Sequence, residues 1–544
     1  MVTIVSEKCA VELRVFGVRV AQCAWGKSSA VTISVTMKSP DSAPVEVRPL
    51  RSIRWAQALV LAALYSFPVF FCLHIGDARD PDVWWHLRTG EWMLQYGAVP
   101  HTEPFSIFGA GKPWVAYSWL FELLIFQLFR WLGLVGLVVY SAGMVASIAV
   151  VLHRLIRRLQ GDFTLAVLLT GVAAFSIYRL YTPRPWLFSI LFFSLELDIL
   201  MQARKTGKMR ELLWLPVVFA LWANVHIQFI DGLVLLAIAL AESILASKRA
   251  GAQTRLRPGR MSAIAGACVL ATLVNPYGWR IYPVAYDLAG QVGDLRQLTE
   301  IQAMQFRGPD NWCVLLLVLG AVGVLARARR LVFFEVALLA FGIVVSFRSE
   351  RDVWMVVIAA SAILAAGLTG NSENRLQVKA IYAPVVAAAT CLILWLGFRV
   401  LDVDNARLSA RLAEDMPVRA VEVVKAKGWS GPLYNDYNWG GYLIWALRQP
   451  VSMDGRTIVY GNERLSRSYA TWNAQPGWDS DPDLQKAKLV IAPVNAPLTQ
   501  LLRMDPRFEV AYEDKLAAVF VARNGLSKGA APGNGAPAFM TGAR

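Results

Sequence analysis

The sequence predicts an α-helical polytopic membrane protein of about eleven transmembrane helices, with a small C-terminal α/β domain on its extracytoplasmic face. Three observations predict it. Of 544 residues, 56% are hydrophobic and 17% charged, where a soluble protein would carry about a quarter charged residues. Eleven apolar runs, at 55–75, 133–151, 163–177, 186–201, 211–223, 227–246, 261–274, 312–325, 331–347, 353–368 and 380–400, approach the roughly 20 residues that a helix needs to cross a bilayer. The connections between them alternate in charge: one set reads "RPLRSIR", "HRLIRRLQ", "QARKTGKMR", "SKRAGAQTRLRPGR", "RARR" and "NRLQVK", whereas the other carries Asp77, Asp80, Asp82, Glu91, Glu103, Asp287, Asp294, Glu300, Asp310, Glu350 and Asp352. Because basic loops stay in the cytoplasm, the N-terminus is expected inside and, with an odd span count, everything beyond Val400 outside, as in a multi-pass membrane protein. The net charge of +15 follows from this asymmetry and does not mark a nucleic-acid partner.

In chain order, residues 1–50 mix charged and apolar positions without the continuous core of a signal peptide, and are expected to form a disordered cytoplasmic lead. Residues 51–400 make the transmembrane domain, with a long first outer loop at 76–132. Residues 401–524 supply the outer α/β domain: "RLAEDMPVRAVEVVKAKG" has helical spacing, "KLVIAP", "FEVAYED" and "KLAAVFVAR" read as strands, and "NWGG" and "DPD" mark turns. Residues 525–544, rich in glycine, alanine and proline, are expected to be a disordered tail. Four of the six cysteines, Cys72, Cys268, Cys313 and Cys391, fall in or beside apolar runs as packing residues, and the outer domain has none, so it must fold without disulfides.

The first outer loop opens with "GDARDPDVWWHLRTGEW". Residues 82–96 can form an amphipathic helix with Asp82 at its N-cap; Val83, Leu87 and Leu94 share one side, and Asp82 and His86, four apart, share another. Trp84, Trp85 and Trp92 suit a water–lipid boundary, so this helix is expected to lie along the membrane surface, and "WVAYSWLFELLIFQLFRWLG" to begin a second interfacial helix. An Asp-Pro-Asp run after a span is, in its simplest reading, a solvated helix cap. Against this, four of five histidines, His74, His86, His101 and His226, fall on the outer side. Outer loops also supply Arg179 and Arg184 in "RLYTPRP", Asn224, His226 and Asp231 in "NVHIQFID", and Arg348 and Arg351 in "SFRSERD". Acids, imidazoles and arginines on one membrane face are the composition of a site that handles phosphate. Inside the fourth run, Glu196 and Asp198 are costly in lipid and are expected to face the bundle interior.

The string "DPDVWWHLRTGEWMLQYGAVPHTEPFS", followed by "WLFELL", "RPWLFS", "LWANVH", "NPYGW", "YNDYNWGGYLIW" and "MDGRTIVYG", resembles a group of bacterial polytopic membrane proteins that is similar in turn to the GT-C glycosyltransferase superfamily. Relatives in that superfamily include protein O-mannosyltransferases and lipid A aminoarabinose transferases. The resemblance implies a GT-C-like fold, a polyprenyl-phosphate sugar as donor, and a catalytic aspartate just beyond the first span. Asp80 matches that position best and Asp82 next, and Asp-Pro-Asp in place of the family's acid pair leaves the choice open. A second acid common in a later loop of the superfamily has no counterpart in "RLYTPRP".

An inverting transfer at such a site needs a base for the acceptor hydroxyl and a counter-charge for the departing phosphate. Asp80 or Asp82 is the expected base, a carboxylate beside other acids having raised proton affinity. Arg179, Arg184, Arg348 and Arg351, with His86 and His226, are the expected substrate and phosphate ligands. A divalent cation on Asp82, His86 and His226 is the weaker alternative. Neither GxGxxG nor a Walker loop is present, so the expected partner is a lipid-borne sugar entering from the bilayer, transferred to a glycan, lipid or protein acceptor. Two other readings stand beside the transferase: a transporter or flippase for a lipid-linked glycan, and a non-catalytic envelope-assembly component. "MDGRTIVYG" itself reads as a strand-ending Asp-Gly turn with Arg456 exposed, although Asp454 and Arg456 are alternative glycan contacts, and "NWGG" as a tight Gly-Gly turn entering a helix.

Overall fold

The computed structural model describes residues 51–75, 80–248, 256–291, 302–368, 382–523 and 527–528. The expected lead at 1–50, nearly all of the expected tail, Asp77, Asp294, Glu300 and the side chain of His74 lie outside them. The chain is mostly helical. From its N-terminal side it forms α1 (Arg51–Ile75), α2 (Val83–Tyr96), α3 (Trp119–Leu132), α4 (Leu134–Leu159), α5 (Phe163–Ser176), α6 (Trp186–Thr206) and α7 (Leu215–Val225). There follow α8 (Phe229–Ser247), α9 (Pro258–Thr272), α10 (Ile281–Gln291), α11 (Pro309–Arg327), α12 (Phe333–Arg348), α13 (Trp354–Gly367) and α14 (Ala383–Val400).

Each apolar run of the sequence became a helix, but their lengths differ in kind. Six are long and apolar enough to cross a membrane, within α1, α4, α6, α8, α11 and α14. The others, α5, α7, α9, α12 and α13, have 11 to 16 residues, short of a full crossing. Helix α13 is apolar on every side and buried from Trp354 to Ala365, the pattern of a helix enclosed by protein. Of the two acids in α6, Asp198 takes Arg154 and Arg158 of α4 at 3.0 and 2.8 Å, and Glu196 is fully buried with no hydrogen-bond partner.

Beyond α14 the chain turns through α15 (Asn405–Asp415) and α16 (Val418–Lys427), separated at Pro417, where the missing N–H ends the helical run. A four-stranded mixed sheet follows, in the order β2 (Leu433–Asn435), β3 (Leu489–Pro493), β5 (Ala517–Ala522), β4 (Phe508–Glu513), with β2 parallel to β3 and the other pairs antiparallel. Three strands coincide with the predicted ones; β2 has three residues, too few to show a period. A second pairing joins β1 (Trp429–Ser430) to β6 (Ser527–Lys528), so two residues placed in the tail are strand.

Alternation along the strands gives the sheet two covered faces. Leu433, Leu489, Ile491, Val519 and Val521 join the core that continues into the helices, while Tyr434, Val490, Ala492 and Phe520 form a second core with Trp472, Leu484, Leu498 and Leu502. The remaining long helices of this part are α17 (Tyr437–Leu447) and α18 (Thr457–Trp472). Residues Trp55–Arg544 form one compact unit that includes this sheet. The glycines of "NWGG" lie inside α17 and not in a turn.

Candidate functional site

The sequence pattern sets α2 in place with Asp82 at its N-cap and Gly97, at φ 63°, closing its C-terminus. The Asp82 side chain makes no capping bond, however, and Trp84 and Trp85, expected at a lipid boundary, are 2% and 6% exposed. Trp84 packs edge-on against Tyr442 of α17 at 5.2 Å, so α2 is enclosed between α3 and α17, and of its large hydrophobic residues Leu94 and Tyr96, in its last turn, are left exposed. Gly90 is what lets α3 approach: a Cβ there would overlap the carbonyl of Glu122. One turn earlier on α2, His86 consequently reaches Glu122, with Nδ1 and Oε1 3.1 Å apart and both side chains at most 3% exposed.

Asp80 and Asp82 meet an arginine and not each other. Arg184, in the turn before α6, donates Nε to both Asp80 oxygens at 2.7 Å and Nη1 to Asp82. Asp80 also accepts the backbone N–H of Asp82 at 2.9 Å. The expected phosphate ligand Arg184 is therefore the counter-ion of both aspartates, and the neighbouring acid expected to sharpen Asp80 as a base is replaced by a guanidinium.

These groups line a cavity of about 160 Å³ whose wall includes Asp82, Trp85, His86, Ser118, Glu122, Arg184, His226, Gln228, Arg351 and Arg456. His226 is anchored from behind. Its Nδ1 lies 2.7 Å from Ser189 Oγ, which also accepts the indole N–H of Trp222 at 2.8 Å. Burial, then the nearby Arg351, push His226 down to about 3, and burial with Arg184, His226 and Arg456 holds His86 well below its ordinary value. Burial lifts Glu122 well above the usual carboxylate range. Arg351, in the turn before α13, has Asp352 at 3.9 Å, while Asp352 accepts Gln228 Nε2 at 2.6 Å. Four buried atoms of the cavity wall lack a protein partner: Trp85 Nε1, Ser118 Oγ, Glu122 Oε2 and Gln228 Oε1, and such atoms in a native wall are satisfied by water or by a polar ligand.

Two expected ligands fall elsewhere. Arg179 binds Asp310 at 2.8 Å and Glu350 at 3.5 Å, and Arg348 is exposed at the end of α12; neither lines the cavity. Nor does the trio Asp82, His86 and His226 fit a divalent ion: the first holds Arg184, the second Glu122 and the third Ser189. Among the described residues no cluster of three His, Cys, Asp or Glu side chains is arranged to hold a metal.

Two groups were missed by sequence reasoning. Glu122 sits in the apolar string "WLFELL", and its charge among seven large apolar neighbours in α3 was the available signal. Arg456, expected to be exposed, is 4% exposed, and Asp454 is fully buried. Arg456 donates to Asp454 at 2.8 and 2.6 Å and to Glu103 at 2.6 Å, beneath the rings of Phe105 and Trp114. Gly455 beside it packs on the Asp82 carboxylate, leaving no room for a Cβ. "NPYGW" lies in the turn after α9 and clamps the first loop: the Tyr277 hydroxyl donates to Pro100 O at 2.8 Å and accepts from Ala116 N at 3.1 Å.

No protein-family model and no curated protein sequence matches the chain. A solved structure similar to it is that of ArnT from Cupriavidus metallidurans bound to undecaprenyl phosphate, with a TM-score of 0.45 and 12% identity over 86% of this chain and 97% of that one.

Proposed function

We propose that the protein is a GT-C-like membrane glycosyltransferase that moves a sugar from a polyprenyl-phosphate donor to an envelope acceptor on the outer face of the inner membrane. The observation that carries this reading is the meeting of Arg351 and the Arg184–Asp82 pair with the His86–Glu122 pair on one cavity. A guanidinium with only a long contact to its nearest acid can take a phosphate as a charge-assisted, bidentate partner, and proton-handling groups stand beside it. The unpartnered polar atoms of the wall and the rings of Trp85, Trp114 and Trp186 suit a polyhydroxylated, ring-shaped ligand. Asp80 acts here through Arg184, which it orients; Asp82 lines the cavity itself. The charge asymmetry of the loops supports an outward-facing site, and with it a lipid-borne donor.

Mass spectrometry of lipids that copurify with the full chain tests the reading. The expected result is a polyprenyl-phosphate lipid retained by wild type and depleted in Arg351→Ala. Wild-type protein free of such lipid, and unable to take it up from polyprenyl-phosphate-containing vesicles, would overturn it.

A further inference from the structure

We propose that His86, with its tautomer set by Glu122, is the group that removes the proton from the acceptor hydroxyl, in place of either aspartate of the first loop. This rests on the transferase reading and names the base within that site. Four features of the geometry lead to it. First, His86 Nδ1 is tied to Glu122 Oε1 at 3.1 Å, so the opposite edge of the ring, Nε2, is the one left for the cavity that His86 lines. Second, Asp80 and Asp82 are both engaged by Arg184, and protonating either carboxylate would break an ion pair that is largely shut off from water. Third, Glu122 keeps a second buried oxygen with no protein partner, on a helix whose other buried side chains are Phe121 and Ile125, and a desolvated carboxylate is a strong proton acceptor. Fourth, His226 lines the same cavity with its Nδ1 held 2.7 Å from Ser189 Oγ, so each of the two imidazoles is anchored through Nδ1 and leaves its other ring nitrogen for a hydroxyl group.

The step balances. The acceptor O–H bond breaks while its oxygen bonds to the anomeric carbon, and the bond from that carbon to the phosphate oxygen breaks with its electrons leaving on the phosphate. The acceptor proton goes to His86 Nε2, and the Nδ1 proton moves toward Glu122. The titratable and charged groups facing His86 are Arg184 from the turn before α6, Arg456 from the turn before α18 and the neutral His226 from the turn after α7; the two guanidiniums oppose an imidazolium. Glu122, with Oε1 3.1 Å from Nδ1, is the acid in contact with the ring. His86 is thus the catalytic residue, and Glu122 is a positioning residue that acts through it.

The test uses the full chain in lipid nanodiscs. Nitrogen-15 NMR of the five histidines, with His86→Asn to identify one ring, reads the tautomer directly. The expected result is a proton on Nδ1 of His86 in wild type and Glu122→Asp, and its loss from Nδ1 in Glu122→Gln. A proton on Nε2 in wild type from acid to alkaline pH would overturn the assignment. Transfer from a radiolabelled polyprenyl-phosphoryl hexose in vesicles supplies the second arm. Glu122→Gln should lower kcat about 100-fold or more with KM for the lipid unchanged, and Glu122→Asp should recover part of it. An active wild type with kcat unchanged in Glu122→Gln sinks this inference and leaves the transferase reading standing. The stated tautomer in a wild type that neither binds nor turns over the lipid overturns the transferase reading, and the role built on it.

Discussion

Arg456 Nη1 lies 2.6 Å from Glu103 Oε1, an ion pair buried to about 2% exposure that joins the first outer loop to a segment 353 residues further along the chain. Glu103 spends its other contacts on the loop itself, accepting from the backbone of Phe105 at 2.7 Å and Ser106 at 2.9 Å. The pair therefore orders the loop and presses "MDGRTIVYG" against the site in one arrangement.

Removing Arg456 leaves Glu103 and Asp454 buried without their counter-ion, which costs about 3–5 kcal/mol, whereas removing Glu103 leaves Arg456 its pair with Asp454 and costs less. Glu103→Gln and Arg456→Ala should each lower the thermal midpoint and expose the loop to limited proteolysis before the helices unfold. Unchanged midpoints and cleavage patterns would show that the pair is not what holds these segments together.

Gly455→Ala should disturb the site with every charged residue still in the sequence, because the added methyl would overlap the Asp82 carboxylate. The expected outcome is loss of transfer with little loss of fold, read by comparing activity with the unfolding midpoint. An active Gly455→Ala protein would mean that Asp82 has room to move and that its contact with Arg184 is dispensable.

Arg184→Lys keeps the charge but not the fork. A guanidinium reaches both oxygens of Asp80 and also Asp82, whereas an ammonium is a point charge that cannot hold that geometry. Transfer should fall at least about tenfold, the equivalent of about 1.4 kcal/mol, while the lipid retained through Arg351 stays bound. Full activity in Arg184→Lys would reduce the arginine to a simple counter-ion.

Glu122 also sets a pH dependence of stability. Its folded-state value is raised by burial, so between the unfolded and folded values the folded protein binds more protons than the unfolded one, and stability falls as pH rises. Glu122→Gln should flatten that alkaline decline. His226 works in the opposite sense: lowered to about 3 by burial and Arg351, it stays neutral when folded and protonates when unfolded, so stability is full above about 6.5 and falls as pH drops toward about 3. His226→Asn should flatten the acid limb; thermal midpoints measured across pH check both slopes.

Much of this was legible in one dimension. Apolar runs located α1, α4 to α9 and α11 to α14, though not α10, strand-like segments located β3, β4 and β5, and the clustering of acids, histidines and arginines in one set of loops nominated Asp82, His86, Arg184, His226 and Arg351, which do share a cavity. The same reasoning could not separate Arg351, which lines the cavity, from Arg179, which is bound to Asp310, since both are arginines in loops on the same side. Nor could it see that Glu122, one acid in a greasy helix, faces His86, or that an Asp-Gly turn is buried.

Hydropathy and period are properties of neighbouring residues, so the sequence by itself determined where helices and strands form, which of them are apolar throughout and which loops carry charge. Which charge meets which is settled by closure of segments far apart in the chain. Arg184 lies 102 residues from Asp82, and Glu122 lies 36 from His86. Burial then gives these pairings their chemistry: the same carboxyl that would be an ordinary surface acid in solvent becomes, walled in beside an imidazole, a strong proton acceptor. Only the tertiary structure decided that, because desolvation depends on everything packed around a group and on nothing in its own stretch of sequence.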